Sequence, residues 1–120
     1  MRAIGRLAII VLTCVLTAWS STASAEFPVG TYTQFRNDSA FKSYLVGLGR
    51  GIFWANALLK VQGKPRLFCM PEHLNLDEGI ILSLIDQEIR SPSSGKPWSD
   101  DAEVEFVMAV AFINRFPCTP

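Results

Sequence analysis

An apolar run close to the N-terminus decides how much of this chain is left to fold. Arg2 and Arg6 precede a nearly uncharged stretch from Leu7 to Ala18, which is too short to cross a bilayer. The small residues of Ala23-Ser24-Ala25 follow at the positions that signal peptidase recognises. The pattern predicts a cleavable signal peptide that ends at Ala25, and therefore an exported protein.

Cleavage after Ala25 leaves residues 26–120, a length typical of one small domain. An uncleaved anchor and a lipoprotein attached at Cys14 are the alternatives, but Thr13 stands where a lipoprotein signal usually has Gly, Ala or Ser. Loss of the two leader arginines leaves 9 (11 − 2) basic residues against 11 acidic ones. Because this balance is weakly acidic, it predicts neither a nucleic acid partner nor, after cleavage, a membrane partner.

Two cysteines, Cys69 and Cys118, remain after the leader is removed. In an oxidising compartment they can form a single disulfide, which would close a loop of about 50 residues and stabilise the fold by roughly 4 kcal/mol. A metal site and two free thiols are the alternatives. We expect no metal, because one histidine and two distant cysteines match no zinc spacing.

Hydrophobic periodicity predicts three main helices and no strand. The first helix follows Asp38 or Ser39, either of which can cap it, and ends at Gln62. The second begins at Asn75, which stands three residues before Glu78 in a pattern resembling a capping box. Its acidic residues are predicted to form a solvated face: Asp77, Glu78, Asp86 and Glu88.

The third helix is predicted to start at Ser99, with Trp98 as a hydrophobic staple and Asp100 and Asp101 in its first turn. Its buried stripe comprises Val104, Val107, Met108, Ala111 and Phe112. The other side is apolar as well, with Phe106, Val110 and Ile113. A helix that is apolar on two sides in so small a domain predicts that a second subunit covers part of it, and hence a homodimer.

The remaining segments complete the predicted fold. Residues 26–37 are expected to be a loose arm, and the connector 66–74 could hold a short fourth helix. Gly47, Gly49 and Gly51 lie within the first helix and predict close approach by a neighbouring backbone. The fold class is all-α: a small helical bundle of three to four helices closed by one disulfide.

No arrangement of residues typical of an enzyme or of a cofactor site stands out. A single histidine, His73, would have to serve any triad, and no serine lies in a nucleophile elbow. Neighbouring acids on a helix point in different directions, which does not suit paired acid and base chemistry. Trp54 is expected to pack internally, whereas Trp98 could either pack or contact a partner. We therefore predict a binding protein without catalytic residues.

Four short motifs carry a family resemblance. In order along residues 39–118, the chain resembles the Rap/Tai family of immunity proteins in Tyr44-Leu45-x-Gly47-x-x-x-Gly51, Ala55-Asn56, Leu67-Phe68-Cys69-x-Pro71 and Phe116-Pro117-Cys118. The resemblance implies a periplasmic, all-helical, disulfide-linked protein that is commonly dimeric. It also implies a partner, a peptidoglycan amidase toxin delivered by a type VI secretion system, which such a protein binds and occludes.

Within the resemblance, Cys69 and Cys118 match the family's bridge, and Gly47, Gly51 and Asn56 match structural helix positions. No residue that contacts a toxin carries over, because the contacting loops vary. From physical argument alone we expect the partner to contact the turn that follows the second helix and the acidic start of the third, at Ser93, Ser94, Trp98, Asp100 and Asp101. The alternative function is a periplasmic stress or chaperone-like helical binding protein, which would need a dimer that dissociates at low pH.

Overall fold

The computed structural model describes residues 26–119, so the predicted signal peptide and its cleavage site lie outside the described residues. Within that range the chain forms four helices and no strand. They are α1 (Val29–Phe35), α2 (Ser39–Val61), α3 (Glu78–Arg90) and α4 (Val104–Arg115). This confirms the predicted all-α bundle. None of these four helices combines the length and the apolar character needed to cross a membrane.

Helix α1 was not expected from the sequence, and the prediction of a loose arm over residues 26–37 is wrong. The rings of Phe27 and Tyr32 pack on Phe41 of α2, with centroid distances of 4.8 and 6.0 Å. Aromatic burial thus stabilises a helix of only 7 residues, too short to show a clear periodic stripe. The connector 66–74 contains no helix, so α1 supplies the fourth helix of the bundle.

Carboxylate caps fix the starts of α2 and α3. As predicted, Asp38 caps α2, where its side chain accepts a hydrogen bond from the backbone N–H of Phe41 at 2.8 Å. Helix α3 begins later than predicted. Asp77, and not Asn75, caps it by accepting from the N–H of Ile80 at 2.9 Å.

Helix α4 begins at Val104, so the predicted start at Ser99 is wrong; residues 100–102 form a turn instead. The predicted buried stripe of this helix is confirmed, because Val104, Val107, Met108, Ala111 and Phe112 are all buried. They pack chiefly against α3, whose buried residues include Ile81 and Ile85.

Gly49 allows α3 to pack closely against α2. A Cβ atom at this position would lie 2.9 Å from Cδ1 of Ile81 and 3.5 Å from Sδ of Met108. A close contact is therefore confirmed at Gly49, but the predicted neighbour is wrong, because the side chains of Ile81 and Met108 fill the space and not a backbone. At Gly47 and Gly51 the prediction finds no support within residues 26–119, where nothing lies within 4 Å of the Cβ position.

The disulfide between Cys69 and Cys118 is present, as predicted, with the Cα atoms 4.8 Å apart. The backbone N–H of Cys69 also donates to the carbonyl oxygen of Phe116 at 2.7 Å. On the other side of the connector, Asn56 of α2 is buried and bonds to the backbone of Leu67 and Phe68. The connector is thus joined both to α2 and to the segment after α4.

Candidate partner-binding surface

The segment 91–103, which we name the anchored connector, joins α3 to α4 and carries all five residues that the sequence assigned to partner binding. Most of its residues are exposed. It turns at Gly95, which has a φ of 71° and whose N–H donates to the carbonyl oxygen of Pro92 at 2.9 Å. An exposed segment without helix or strand binds a partner with less loss of affinity when the rest of the fold holds its shape.

A buried carboxylate holds the start of the anchored connector. Glu88 of α3 is only 5% exposed, and it accepts hydrogen bonds from the backbone N–H of Ser93 at 3.0 Å and from the hydroxyl at 2.5 Å. The prediction that Glu88 belongs to a solvated acidic face is therefore wrong. A buried carboxylate needs such donors, because leaving it without partners would be costly.

Backbone hydrogen bonds to α1 hold the end of the anchored connector. The N–H of Gly30 donates to the carbonyl oxygen of Asp100 at 2.9 Å, and the N–H of Val29 donates to that of Ala102 at 2.8 Å. A Cβ atom at position 30 would lie only 3.1 Å from Cβ of Asp100. Helix α1, which the sequence did not predict, thus sets the position of the acidic turn.

The structure separates the five predicted partner-binding residues into two groups. The hydroxyl of Ser93 is used internally by Glu88, and Trp98 is half-buried with its ring against Phe106 at 5.9 Å. By contrast, Ser94, Asp100 and Asp101 are exposed, and a hydrogen bond from Ser99 lowers the pKa of Asp101. That carboxylate is therefore ionised over a wide pH range.

Trp98 has one unusual property. Its indole Nε1 is buried and has no hydrogen-bond partner among residues 26–119, and the same is true of Oε2 of Glu105. The other carboxylate oxygen of Glu105 accepts a hydrogen bond from the hydroxyl of Tyr44. Burial, together with this contact, raises the pKa of Tyr44 to about 12. The packing of Trp98 on Phe106 helps to hold the anchored connector in place. It also leaves the Trp98 ring only partly available to a partner.

The solvent face of α2 is a second surface, which the sequence analysis missed. Trp54 is 65% exposed, so the expectation that it packs internally is wrong. Leu58 and Val61 follow it at helical spacing and are 57% and 82% exposed. The signal was present in the sequence, since these three positions lie opposite the buried Gly49 and Asn56 on a helical projection.

A groove runs beside this face, between α2 and the segment 66–76, which comprises the connector 66–74 and the two residues after it. Two adjoining cavities of about 350 and 240 Å³ share Phe53, Met70 and Leu74 as their apolar floor. Arg50 and Trp54 line the first cavity, whereas the charged residues Lys60, Arg66 and Glu72 line the second. Aromatic, methionine and arginine side chains are the types enriched in protein interfaces.

A charged cluster joins α1 to α3 on another side of the bundle. Asp86 accepts a hydrogen bond from the hydroxyl of Tyr32 at 2.9 Å and forms an ion pair with Arg36. The Arg36 guanidinium holds the pKa of Asp86 below its usual value, while burial and Asp86 raise the pKa of Tyr32. Asp86 was expected on a solvated face; it instead holds α1 in place.

Within residues 26–119, no group of three or more His, Cys, Asp or Glu side chains is placed to hold a metal ion. His73 is exposed on the connector between α2 and α3. No protein-family model, curated protein or solved structure matches this chain.

Proposed function

We propose that this protein is a periplasmic immunity protein that binds a peptidoglycan amidase delivered by a type VI secretion system and occludes its active site. The proposal includes removal of residues 1–25 during export. It rests on the family resemblance and on one structural observation, the anchored connector 91–103. This segment is exposed, polar and held at both ends by the rest of the fold.

A segment of this kind suits occlusion for an energetic reason. Binding a flexible loop loses affinity, because the loop must be ordered when the complex forms. Glu88 at one end and α1 at the other order the anchored connector before binding. It can then enter a cleft that normally admits a peptide stem, without adopting a conformation that could be cleaved.

The exposed carboxylates suggest how the contact is made. The amidases of this system are cysteine-histidine hydrolases, in which the reactive thiolate pairs with a protonated imidazole. Asp100 and Asp101 present negative charge on the rigid turn, and Ser94 adds an exposed hydroxyl on the same anchored connector. We expect these three side chains to contact the rim of the cleft and its cationic groups.

A titration of amidase activity tests the proposal. Protein purified from the periplasm is added to each of a panel of type VI amidases, and release of peptide stems from peptidoglycan is measured. One amidase should lose its activity at an equimolar ratio. The triple variant Ser94→Ala, Asp100→Ala, Asp101→Ala should inhibit at least tenfold more weakly, whereas the matched control Glu72→Ala, Ser83→Ala should inhibit normally.

Two outcomes would count against the proposal. If no amidase of the panel is inhibited, the immunity function is wrong. If the triple variant folds normally and inhibits as well as the wild type, inhibition stands but the anchored connector is not the contact.

The homodimer predicted from the sequence belongs to the proposal as well. Large apolar side chains remain exposed on the helices that could pair, including Trp54 and Leu58 on α2 and Phe106 on α4. A partner subunit would remove them from water.

The stress or chaperone-like function remains the second candidate because of one observation. Tyr32 of helix α1 packs on Phe41, and the ion pair between Arg36 and Asp86 helps to hold the helix there. Acid would weaken that contact and uncover aromatic surface. Suppression of the aggregation of many unrelated proteins at low pH, without selective inhibition of an amidase, would favour this function.

A further inference from the structure

The solvent face of α2 carries an uncharged seam with the spacing of a coiled coil. Its residues are Gly47, Gly51, Trp54, Leu58 and Val61, which we name the α2 seam. They follow one another at steps of four, three, four and three, as the a and d positions of a heptad repeat do. All five are exposed, and none carries a charge. Such a pattern is expected of a helix that packs against a second helix.

The two glycines of the α2 seam have no role within the described fold. Glycine destabilises a helix interior, and Gly49 nearby is explained by the Ile81 side chain that occupies the space of its missing Cβ. At Gly47 and Gly51 that space is open within residues 26–119. Small residues four apart on one apolar face allow another helix to approach closely.

The seam is divided into a small half and a large half. The glycines occupy the half that is N-terminal along the helix, and Trp54, Leu58 and Val61 occupy the other. A surface divided in this way is complementary to itself when one helix is reversed. A two-fold symmetric interface requires self-complementarity of this kind.

We propose that the α2 seam binds the α2 seam of a second copy of this chain, with the two helices antiparallel. The two-fold axis passes between the two helices, at a level along α2 midway between Ile52 and Phe53. In this register Gly51 of each copy faces Trp54 of the other. Gly47 likewise faces Leu58 of the other copy, so every glycine accepts a large side chain.

Charge and size both fit this occupant. Arg50, at the rim of the seam, faces Ala55 of the second copy, so no like charge lies directly opposite it. In this register only residues 44–61 of the two α2 helices overlap, a paired length of about 27 Å at roughly 1.5 Å per residue. A helix pair of that length buries somewhat less than about 1,000 Å² in total, in the range of weak interfaces. The dimer should therefore dissociate on dilution through the micromolar range.

This inference deepens the homodimer part of the proposed function and does not depend on the amidase. It also moves the expected interface from α4, where the sequence placed it, to α2. A monomer at all concentrations would contradict the homodimer itself. A dimer that pairs through other residues would contradict only the present inference.

Light scattering during size-exclusion chromatography provides the first test, with the full chain expressed and purified from the periplasm. The wild type should be a dimer at about 100 μM, and both Leu58→Glu and Gly51→Leu should be monomers. Leu58 is exposed, and position 51 has open space, so both variants should keep the wild-type circular dichroism spectrum. Leu67→Glu and Ile113→Glu change apolar residues outside the seam and should remain dimers.

Mixing two variants tests the antiparallel register. Gly47→Lys and Leu58→Glu should each be monomeric alone, and equal amounts of the two should form a heterodimer, because position 47 of one copy faces position 58 of the other. In a parallel pair the opposite charges would not meet, and no heterodimer would form. A monomeric wild type would overturn the inference, and so would dimers that persist in both Leu58→Glu and Gly51→Leu. It would also be overturned if Ile113→Glu were the one variant that lost the dimer, or if the mixed pair failed to associate.

Discussion

The side-chain amide of Asn56 donates a hydrogen bond to the carbonyl oxygen of Phe68 at 2.8 Å, across 12 positions of sequence. The oxygen of the same side chain accepts from the N–H groups of Leu67 and Phe68 at 2.7 and 3.3 Å. One buried polar side chain therefore satisfies three backbone groups of the connector that carries Cys69.

Replacing Asn56 should destabilise the protein strongly. Asn56→Ala leaves the buried N–H and carbonyl groups of Phe68 and the part-buried N–H of Leu67 without partners, at a cost of about 1–3 kcal/mol for each buried group. We expect the free energy of unfolding to fall by about 3 kcal/mol, measured by urea denaturation. The matched control Asn75→Ala, at an exposed position that does not cap α3, should change it by less than about 0.5 kcal/mol. Equal effects of the two changes would show that the Asn56 hydrogen bonds contribute little.

The ion pair between Arg36 and Asp86 should make stability depend on pH in the acid range. The pKa of Asp86 is lowered in the folded state, so its stabilising contribution is complete well above pH 3.8 and is lost as the pH falls through the lower, folded-state pKa. Arg36→Gln should remove about 1 kcal/mol at neutral pH, a small value because Arg36 is partly exposed.

The measurement for this prediction is the urea midpoint between pH 7 and pH 2. Arg36→Gln should show a shallower loss of stability below pH 5 than the wild type. Arg115→Gln, at an exposed position, should keep the wild-type slope. Parallel curves for Arg36→Gln and the wild type would mean that other carboxylates cause the acid sensitivity.

Removing the buried carboxylate of Glu88 should release the start of the anchored connector. Glu88→Ala leaves the N–H of Ser93 without its acceptor, and we expect a loss of about 2 kcal/mol in unfolding free energy together with faster cleavage within residues 91–103 by subtilisin. Cleavage sites are identified by mass spectrometry. Glu72→Ala, which changes an exposed acid, should be cleaved at the wild-type rate; faster cleavage everywhere in Glu88→Ala would indicate global unfolding instead.

Replacing a glycine of α2 by alanine should change the stability of the protein differently at position 51 and at position 49. Gly51→Ala places a methyl group in open space and should stabilise the helix by about 0.5–1 kcal/mol. At Gly49 the same gain is opposed by Ile81 and Met108, which must move away. Gly49→Ala should thus be less stable than Gly51→Ala by about 1 kcal/mol or more. Thermal unfolding at low micromolar concentration measures both; equal stability would contradict the tight packing at Gly49.

Sequence periodicity predicted the three longer helices because each buries a regular stripe, as Val104 to Phe112 shows on α4. It missed α1, whose 7 residues are held by aromatic contacts to Phe41 and by backbone bonds to residues 100 and 102. The same distant bonds explain the error at Ser99. A locally plausible helix start there is replaced by a turn that pairs with α1.

The candidate surfaces were predictable only in part. The exposure of Ser94, Asp100 and Asp101 followed from their place in a turn. The internal use of Ser93 depends on Glu88 being buried, which an acidic residue in a helix does not suggest. Trp54 was misassigned because large aromatic residues are usually buried, although its position opposite Gly49 on the helix already indicated the solvent face.

The contacts at both ends of the fold have a consequence for a chain that is synthesised from its N-terminus. Helix α1, the first to emerge, forms its backbone bonds with residues 100 and 102, and Cys69 must wait for Cys118 beyond α4. Neither closure can occur while the later half of the chain is still inside the ribosome. The order of synthesis therefore delays both the Cys69–Cys118 bridge and the docking of α1 until nearly the whole chain has been made.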